Sequence, residues 1–186
     1  TMTMSEFRAE PRVGHLKRLR SIYGYMYKFK EASIRYRTNI LDMKRYPIRD
    51  HDWARTTYGE VKELLPEDMP KALRQPVITI TYVDANLLHD LVAARADTRI
   101  LHLVNQNPIE WYSKRQATVE TATFGAEFVS SGIAIDQIID LRNTLRYLGV
   151  PIKEASYMFG DNESVNKNVV LPFSTLNKRH NILSYH

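Results

Sequence analysis

Three acidic side chains stand beside apolar runs: Asp84 after "VITITYV", Glu127 in "TFGAEF", and Asp161 in "SYMFGDNES". They are 43 and 34 residues apart, too far to meet except by folding. An ionised carboxylate at the edge of a core is costly unless something pairs with it or binds it. Three of them brought together repel strongly, and hard divalent cations with oxygen ligands, Mg²⁺ above all, relieve that repulsion. Two such ions roughly 3.5–4 Å apart activate water and stabilise a leaving oxygen in phosphodiester cleavage. Each acid also has an ordinary reading: Asp84 as a strand-end turn residue, Glu127 as a solvated helix residue, Asp161 as a helix cap.

The chemistry depends on elements that bring the acids together. In "VITITYVDANL", Ile78, Ile80, Tyr82 and Asp84 share one face and Val77, Thr79, Thr81 and Val83 the other, a β-branched run ending on Asp84. "RILHLVNQ" alternates again, a turn-like "NQNP" follows, and "IEWYSKRQ" reads as a third strand, so the three form an antiparallel meander. From Val119 to Leu148 the period becomes helical through Ala122, Ala126, Val129, Ile133, Ile138, Leu141, Leu145 and Leu148, with Gly149 and Pro151 as the stop. Glu127 lies beside this stripe, early in the helix. The short apolar run before Asp161 predicts a fourth strand, then a short helix over about 162–170. If the first and fourth strands are neighbours, Asp84 and Asp161 stand side by side and the long helix lowers Glu127 toward them. The expected class is α/β, a mixed sheet with helices.

The rest of the chain differs in character. Residues 1–37 carry nine basic side chains against three acids, +6 in a chain whose net charge is +5. In "RVGHLKRLRSIYGYMYKF" apolar residues recur at three- and four-residue steps, an amphipathic helix with Lys17, Arg18 and Arg20 among its polar residues. Basic residues interleaved with Tyr23, Tyr25, Tyr27, Phe29 and Tyr36 suit a nucleic-acid backbone, and equally a solvated helical face. Residues 38–76, with Pro47, Pro66, Pro70 and Pro76, read as a Pro-rich linker with one helical turn near 61–65. The absence of cysteine excludes disulfides, thiolate metal sites and a cysteine nucleophile. No apolar run approaches the roughly 18 residues that span a bilayer, so no membrane partner is expected.

From Val77 onward the chain resembles the ribonuclease H domain of Copia-type LTR retrotransposon polyproteins. "YVDANL" is similar to the family's Tyr-x-Asp-Ala-Asp-Trp, and "PIEWYSKRQATVETAT" to its Pro-Ile-x-Trp-x-Ser-Lys-(Lys/Arg)-Gln-x-Thr-Val. "TFGAEF" resembles Ser/Thr-x-Glu-Ala-Glu-Tyr, "MFGDNES" resembles Cys-Asp-Asn-x-Ser, and "NKRHNILSYH" resembles a closing Thr-Lys-His-Ile-Asp-x-x-Tyr-His that includes His180 and His186. "IIDLRNTLRYLGVP" looks like its Trp-Leu-Arg-x-Leu-Leu-x-(Glu/Asp)-Leu-Gly stretch, and "MSEFRAEPRVGHLKRLRSIYGYM" like the end of the reverse transcriptase.

The resemblance implies a ribonuclease H-like fold over 77–186: three antiparallel strands, a long helix, a parallel strand and a helix. Residues 1–37 correspond to a thumb or connection segment. It further implies that Asp84, Glu127 and Asp161 are three of four catalytic acids holding two Mg²⁺ or Mn²⁺ ions. The expected activity is hydrolysis of the RNA strand of an RNA–DNA hybrid, with a catalytically impaired nucleic-acid-binding remnant as the alternative. Ser113, Lys114, Arg115, Gln116 and Asn162 become expected hybrid contacts, or a hairpin end and a cap. Lys17, Arg18 and Arg20 would grip the primer–template duplex. The partners implied are those nucleic acids and the remainder of the polyprotein. The implied location is the cytoplasmic particle of the element, with the nucleus as the alternative. Asn86, Gly125 and Ile182 depart from the family's acids. The family's fourth acid lies in a Gln-x-Ala-Asp stretch beyond the position of His186. The expectation is therefore a chain lacking that acid and the last strand, with weakened metal binding.

Overall fold

The structure is a computed structural model that describes residues 10–49, 51–59, 63–65, 67–73, 75–90 and 95–171. The chain divides into two units, Thr1–Tyr36 and Arg37–His186. The closing "NKRHNILSYH" segment, with Ile182, His180 and His186, lies outside the described residues.

The first unit contains helix α1, Val13–Lys28. Its first turn is closed by the Arg12 N–H donating to His15 Nδ1 at 3.0 Å, and its last by the Phe29 N–H on the Tyr25 carbonyl. Tyr25 and Phe29, one turn apart, put their ring centroids 4.6 Å from each other. Lys28 Nζ sits over the Phe29 ring and Lys30 Nζ over that of Tyr27. Lys17, Arg18 and Arg20 are all exposed.

In the second unit the β-branched run becomes β1 (Thr79–Asp90), paired antiparallel with β2 (Arg95–Val104), which pairs antiparallel with β3 (Asn107–Arg115). Asn105 turns the β2–β3 hairpin at φ 56°, a conformation that asparagine tolerates better than most residues. Its side-chain carbonyl accepts from the Ile78 N–H at 3.0 Å, tying the turn to β1. Helix α2 (Thr123–Tyr147) follows, then β4 (Tyr157–Phe159), parallel to β1, and α3 (Glu163–Val170). The sheet order among the described residues is β3-β2-β1-β4. This mixed sheet, long helix, parallel strand and short helix make the expected α/β, ribonuclease H-like arrangement.

Two differences from the sequence reading matter for the site. First, Asp84 does not end its strand. β1 continues to Asp90, because β2 begins at Arg95 and pairs Ala85 with Thr98 and Asn86 with Asp97. Second, the buried line of α2 is composed of small and polar residues more than large apolar ones: Phe124, Gly125, Ala126, Glu127, Ser130, Ser131, Ala134 and Leu141. Leu148 is exposed and lies past the helix end. The cause is the sheet face opposite.

That face carries Thr81, Thr98 and His102, all fully buried. His102 Nδ1 is 2.8 Å from Thr81 Oγ1, and Nε2 is 3.0 Å from Gln137 Oε1 on α2. Since Gln137 Oε1 only accepts, Nε2 carries the proton and Nδ1 accepts from the Thr81 hydroxyl. Thr98 and Ser130 hydroxyls meet at 2.8 Å. Small residues let the helix approach closely enough for these bonds: Ala126 packs with Ala85 and Ala96, and Ala134 with Val83 and Ile100.

Among the described residues, the opposite face is covered at its beginning. Met43, in a one-turn 3₁₀ helix within the Pro-rich segment, buries itself against Ile78 and Ile80, with Leu41, Tyr46, Leu103, Tyr157 and Phe159 around it. Glu63, from the same segment, is clamped by Arg142 and Arg146 of α2, and the Leu73 N–H donates to the Gly149 carbonyl at 2.9 Å. The segment expected to be a linker thus packs on the sheet unit. Of the helical turn expected near 61–65, residues 63–65 carry no helix and 61 and 62 lie outside the described residues.

Candidate metal centre

Strand register brings the acids together. β4 pairs Ile80 with Tyr157 and Tyr82 with Phe159. Two residues further along both chains, the same register sets Asp161 level with Asp84. β4 itself ends at Phe159, so beyond it no strand among the described residues pairs with this side of β1. There the Ala85 N–H donates to Glu127 Oε1 at 3.2 Å, which fixes the α2 carboxylate beside the two aspartates.

One carboxylate oxygen from each of Asp84, Glu127 and Asp161 lies within 4.8 Å of the others. Glu127 is 4% exposed, whereas Asp161 is exposed and the Asp84 side chain is half-exposed. Burial is the main cause that raises the Glu127 pKa to about 7. The Ala85 N–H works against the rise, while the charges of Asp161 and Asp84 add to it. The donor set is three carboxylates without imidazole or thiolate, which suits Mg²⁺ or Mn²⁺ and is a poor match for soft ions.

Asp84 and Asp161 open onto a cleft that is also lined by Tyr82, Arg99, Leu101 and Phe159, among others. Its floor is aromatic: the rings of Tyr82 and Phe159 stack with centroids 5.3 Å apart. Arg99, which the sequence reading missed, pairs in register with Asp84, and its Nη1 is 3.7 Å from Asp84 Oδ2. The only signal for it was the β1–β2 register, and "LLHDLVAARAD" contains no Gly or Asn-Gly turn from which to set one.

The other expected contacts divide. Ser113 pairs in register with Arg99, which extends the row across the same face of the sheet, about 10 Å from Asp84 at two strand spacings. Lys114 is exposed on the edge strand β3, and Arg115 is half-buried opposite Asp97. Gln116 is a correction: it is 2% exposed, not a surface contact. Its amide donates to Thr98 Oγ1, the Ala126 carbonyl and Ser130 Oγ at 2.8–3.0 Å, joining the sheet to α2.

Asn162, not Asp161, caps α3. Its Oδ1 accepts from the N–H groups of Ser164 and Val165 at 3.1 and 3.2 Å. Asp161 is thereby left to the acidic cluster. Lys17, Arg18 and Arg20 belong to the other unit and are exposed on α1. Asn86 and Gly125 lie on β1 and α2 next to the site acids but add no carboxylate.

Against family models, curated proteins and solved structures, the chain has no significant match. Among the described residues, no helix is long and apolar enough to cross a membrane.

Proposed function

We propose that the unit Arg37–His186 is a ribonuclease H module of a Copia-type retroelement polyprotein, hydrolysing the RNA strand of an RNA–DNA hybrid with divalent-cation assistance. The observation that carries this reading is the convergence of Asp84, Glu127 and Asp161 within 4.8 Å from two strands' register and one helix. Asp84 and Asp161 face solvent as oxygen ligands, and Glu127 is held in place by the Ala85 N–H. These three carboxylates would hold a divalent ion, which would supply the positive charge that lets them share one site and Lewis acidity toward an attacking water. Water adds to phosphorus, the bond to the 3′-oxygen breaks, and the products carry a 5′-phosphate and a 3′-hydroxyl.

In the same reading Ser113, Lys114 and Arg115 contact the hybrid from β3. Lys17, Arg18 and Arg20 hold the primer–template backbone by salt-dependent, sequence-independent contacts. The polyprotein's remaining domains are its partners, and its place is the element's cytoplasmic particle or the nucleus.

The test is cleavage of a hybrid carrying a 5′-labelled RNA strand, with Mg²⁺ or Mn²⁺, by the full chain. Cut RNA in the hybrid, intact double-stranded DNA, and no cutting by Asp161→Asn are expected, because the 2′-hydroxyl marks the RNA strand. Binding without any cutting would replace the enzyme with a nucleic-acid-binding remnant of the same fold.

A further inference from the structure

Among the described residues lining the cleft, Arg99 is the one cation. Its position follows from the hairpin. Arg99 stands directly across from Asp84, and cross-strand partners project on the same side of a sheet. At 3.7 Å the contact with Asp84 Oδ2 is longer than a hydrogen bond, so the two attract through space. Both side chains are about half-exposed, at 46% and 50%, and pairs of that kind contribute little to stability. Fold stability therefore gives no reason for an arginine here. Its charge does, because a guanidinium stays protonated at any working pH.

Charge balance then decides how many ions the cluster can hold. Three ionised carboxylates carry −3, and Arg99 leaves −2, the charge that one divalent ion cancels. Two divalent ions beside Arg99 would set +5 against −3, with the second ion competing with the guanidinium for Asp84. We propose that Arg99 fills the place of a second cation, so that Asp84, Glu127 and Asp161 take a single divalent ion. The inference rests on the metal-site reading above and corrects only its ion count. In the reaction, Arg99 aims its N–H fork at the phosphodiester and supplies the positive charge near the leaving oxygen that a second ion otherwise supplies.

Mn²⁺ binding to the full chain, counted by electron paramagnetic resonance of the free ion, tests this without recourse to activity. Sites that persist in Asp161→Asn are subtracted as surface binding. The wild type is expected to bind one ion and Arg99→Gln two, the first of them roughly tenfold tighter once a nearby positive charge is gone. Arg99→Lys, which keeps the charge, is expected to bind one. Far-UV circular dichroism of each variant verifies folding. Two ions in the wild type, or the same count and affinity in Arg99→Gln, overturns the role of Arg99 and leaves the metal site standing. No ion in any variant overturns the metal site itself, and the inference falls with it.

Discussion

Replacing Glu127 by glutamine removes one charge from the cluster and keeps an oxygen for the Ala85 N–H. In the folded chain the Glu127 pKa is raised from 4.5 to about 7, chiefly by burial. The folded state thus holds a proton that the unfolded chain releases at lower pH. Between pH 4.5 and about 7 the unfolded state binds fewer protons, so stability falls as pH rises, and the whole penalty is present above pH 7. At ~1.4 kcal/mol per pH unit this amounts to at most about 3 kcal/mol. Urea denaturation at pH 5, 6, 7 and 8 in EDTA, for wild type and Glu127→Gln, isolates it, because the two proteins differ in this one titratable group. The variant should match the wild type near pH 5 and exceed it by up to about 3 kcal/mol at pH 8. A saturating divalent ion should close the gap by stabilising only the wild type. A difference that stays constant from pH 5 to 8 would refute the account of Glu127 as a carboxylate held against its preference.

Other consequences concern the parts that position the site. Arg142 and Arg146 hold the Glu63 carboxyl down to about 2 from 4.5, so its contribution is present above pH 4.5 and lost as pH falls toward 2. Its side chain is over a third exposed, so solvent screening discounts that contribution to about 1–2 kcal/mol. Acid unfolding of Glu63→Gln should accordingly approach that of the wild type as pH falls from 4.5 toward 2. His102→Ala strands the buried Thr81 hydroxyl, frees the part-buried Gln137 and leaves a cavity, and should cost about 2–4 kcal/mol by chemical denaturation. Gln116→Ala should cost about 2–3 kcal/mol yet leave the salt dependence of hybrid binding unchanged, since its amide is spent inside the fold. Lys114→Ala should do the reverse: stability within about 0.5 kcal/mol of wild type, with the salt slope reduced by about one phosphate contact.

The sequence carried the elements because their periods are local. Alternation through Val77–Asp84, the helical period after Val119, and the apolar-to-polar break at Asp161 each occupy a few consecutive residues. Cross-chain registration was hidden. β1 runs past Asp84 through Asn86 and Leu87 only because β2 offers Thr98 and Asp97 as partners, which no window of the sequence displays. The buried line of α2 departs from its large apolar residues since the sheet opposite is threonine and histidine, and hydrogen bonds there take the place of apolar contact. Met43 and Glu63 sat in a stretch without a period, and the partners Ile78 and Ile80 of the one and Arg142 and Arg146 of the other lie 35 to 83 residues away. Gln116 follows "SKR" and so read as part of a charged hairpin end, although one residue separates the edge of the sheet from its interior. Asp161 and Asn162 are adjacent, and only the hydrogen bonds of Asn162 separate the member of the acidic cluster from the cap.

The claim on which all of this rests is that Asp84, Glu127 and Asp161 hold a divalent cation, and thermal unfolding with titrated Mn²⁺ tests it most directly. A ligand that binds only the folded state stabilises by about 2.7 kcal/mol at a hundred times its Kd. The wild-type Tm should therefore rise by several degrees as Mn²⁺ is added, while Asp161→Asn, relieved of one repelling charge, should start at or above the wild type and stay there. Equal responses of the two proteins to Mn²⁺, or none in either, would contradict the account.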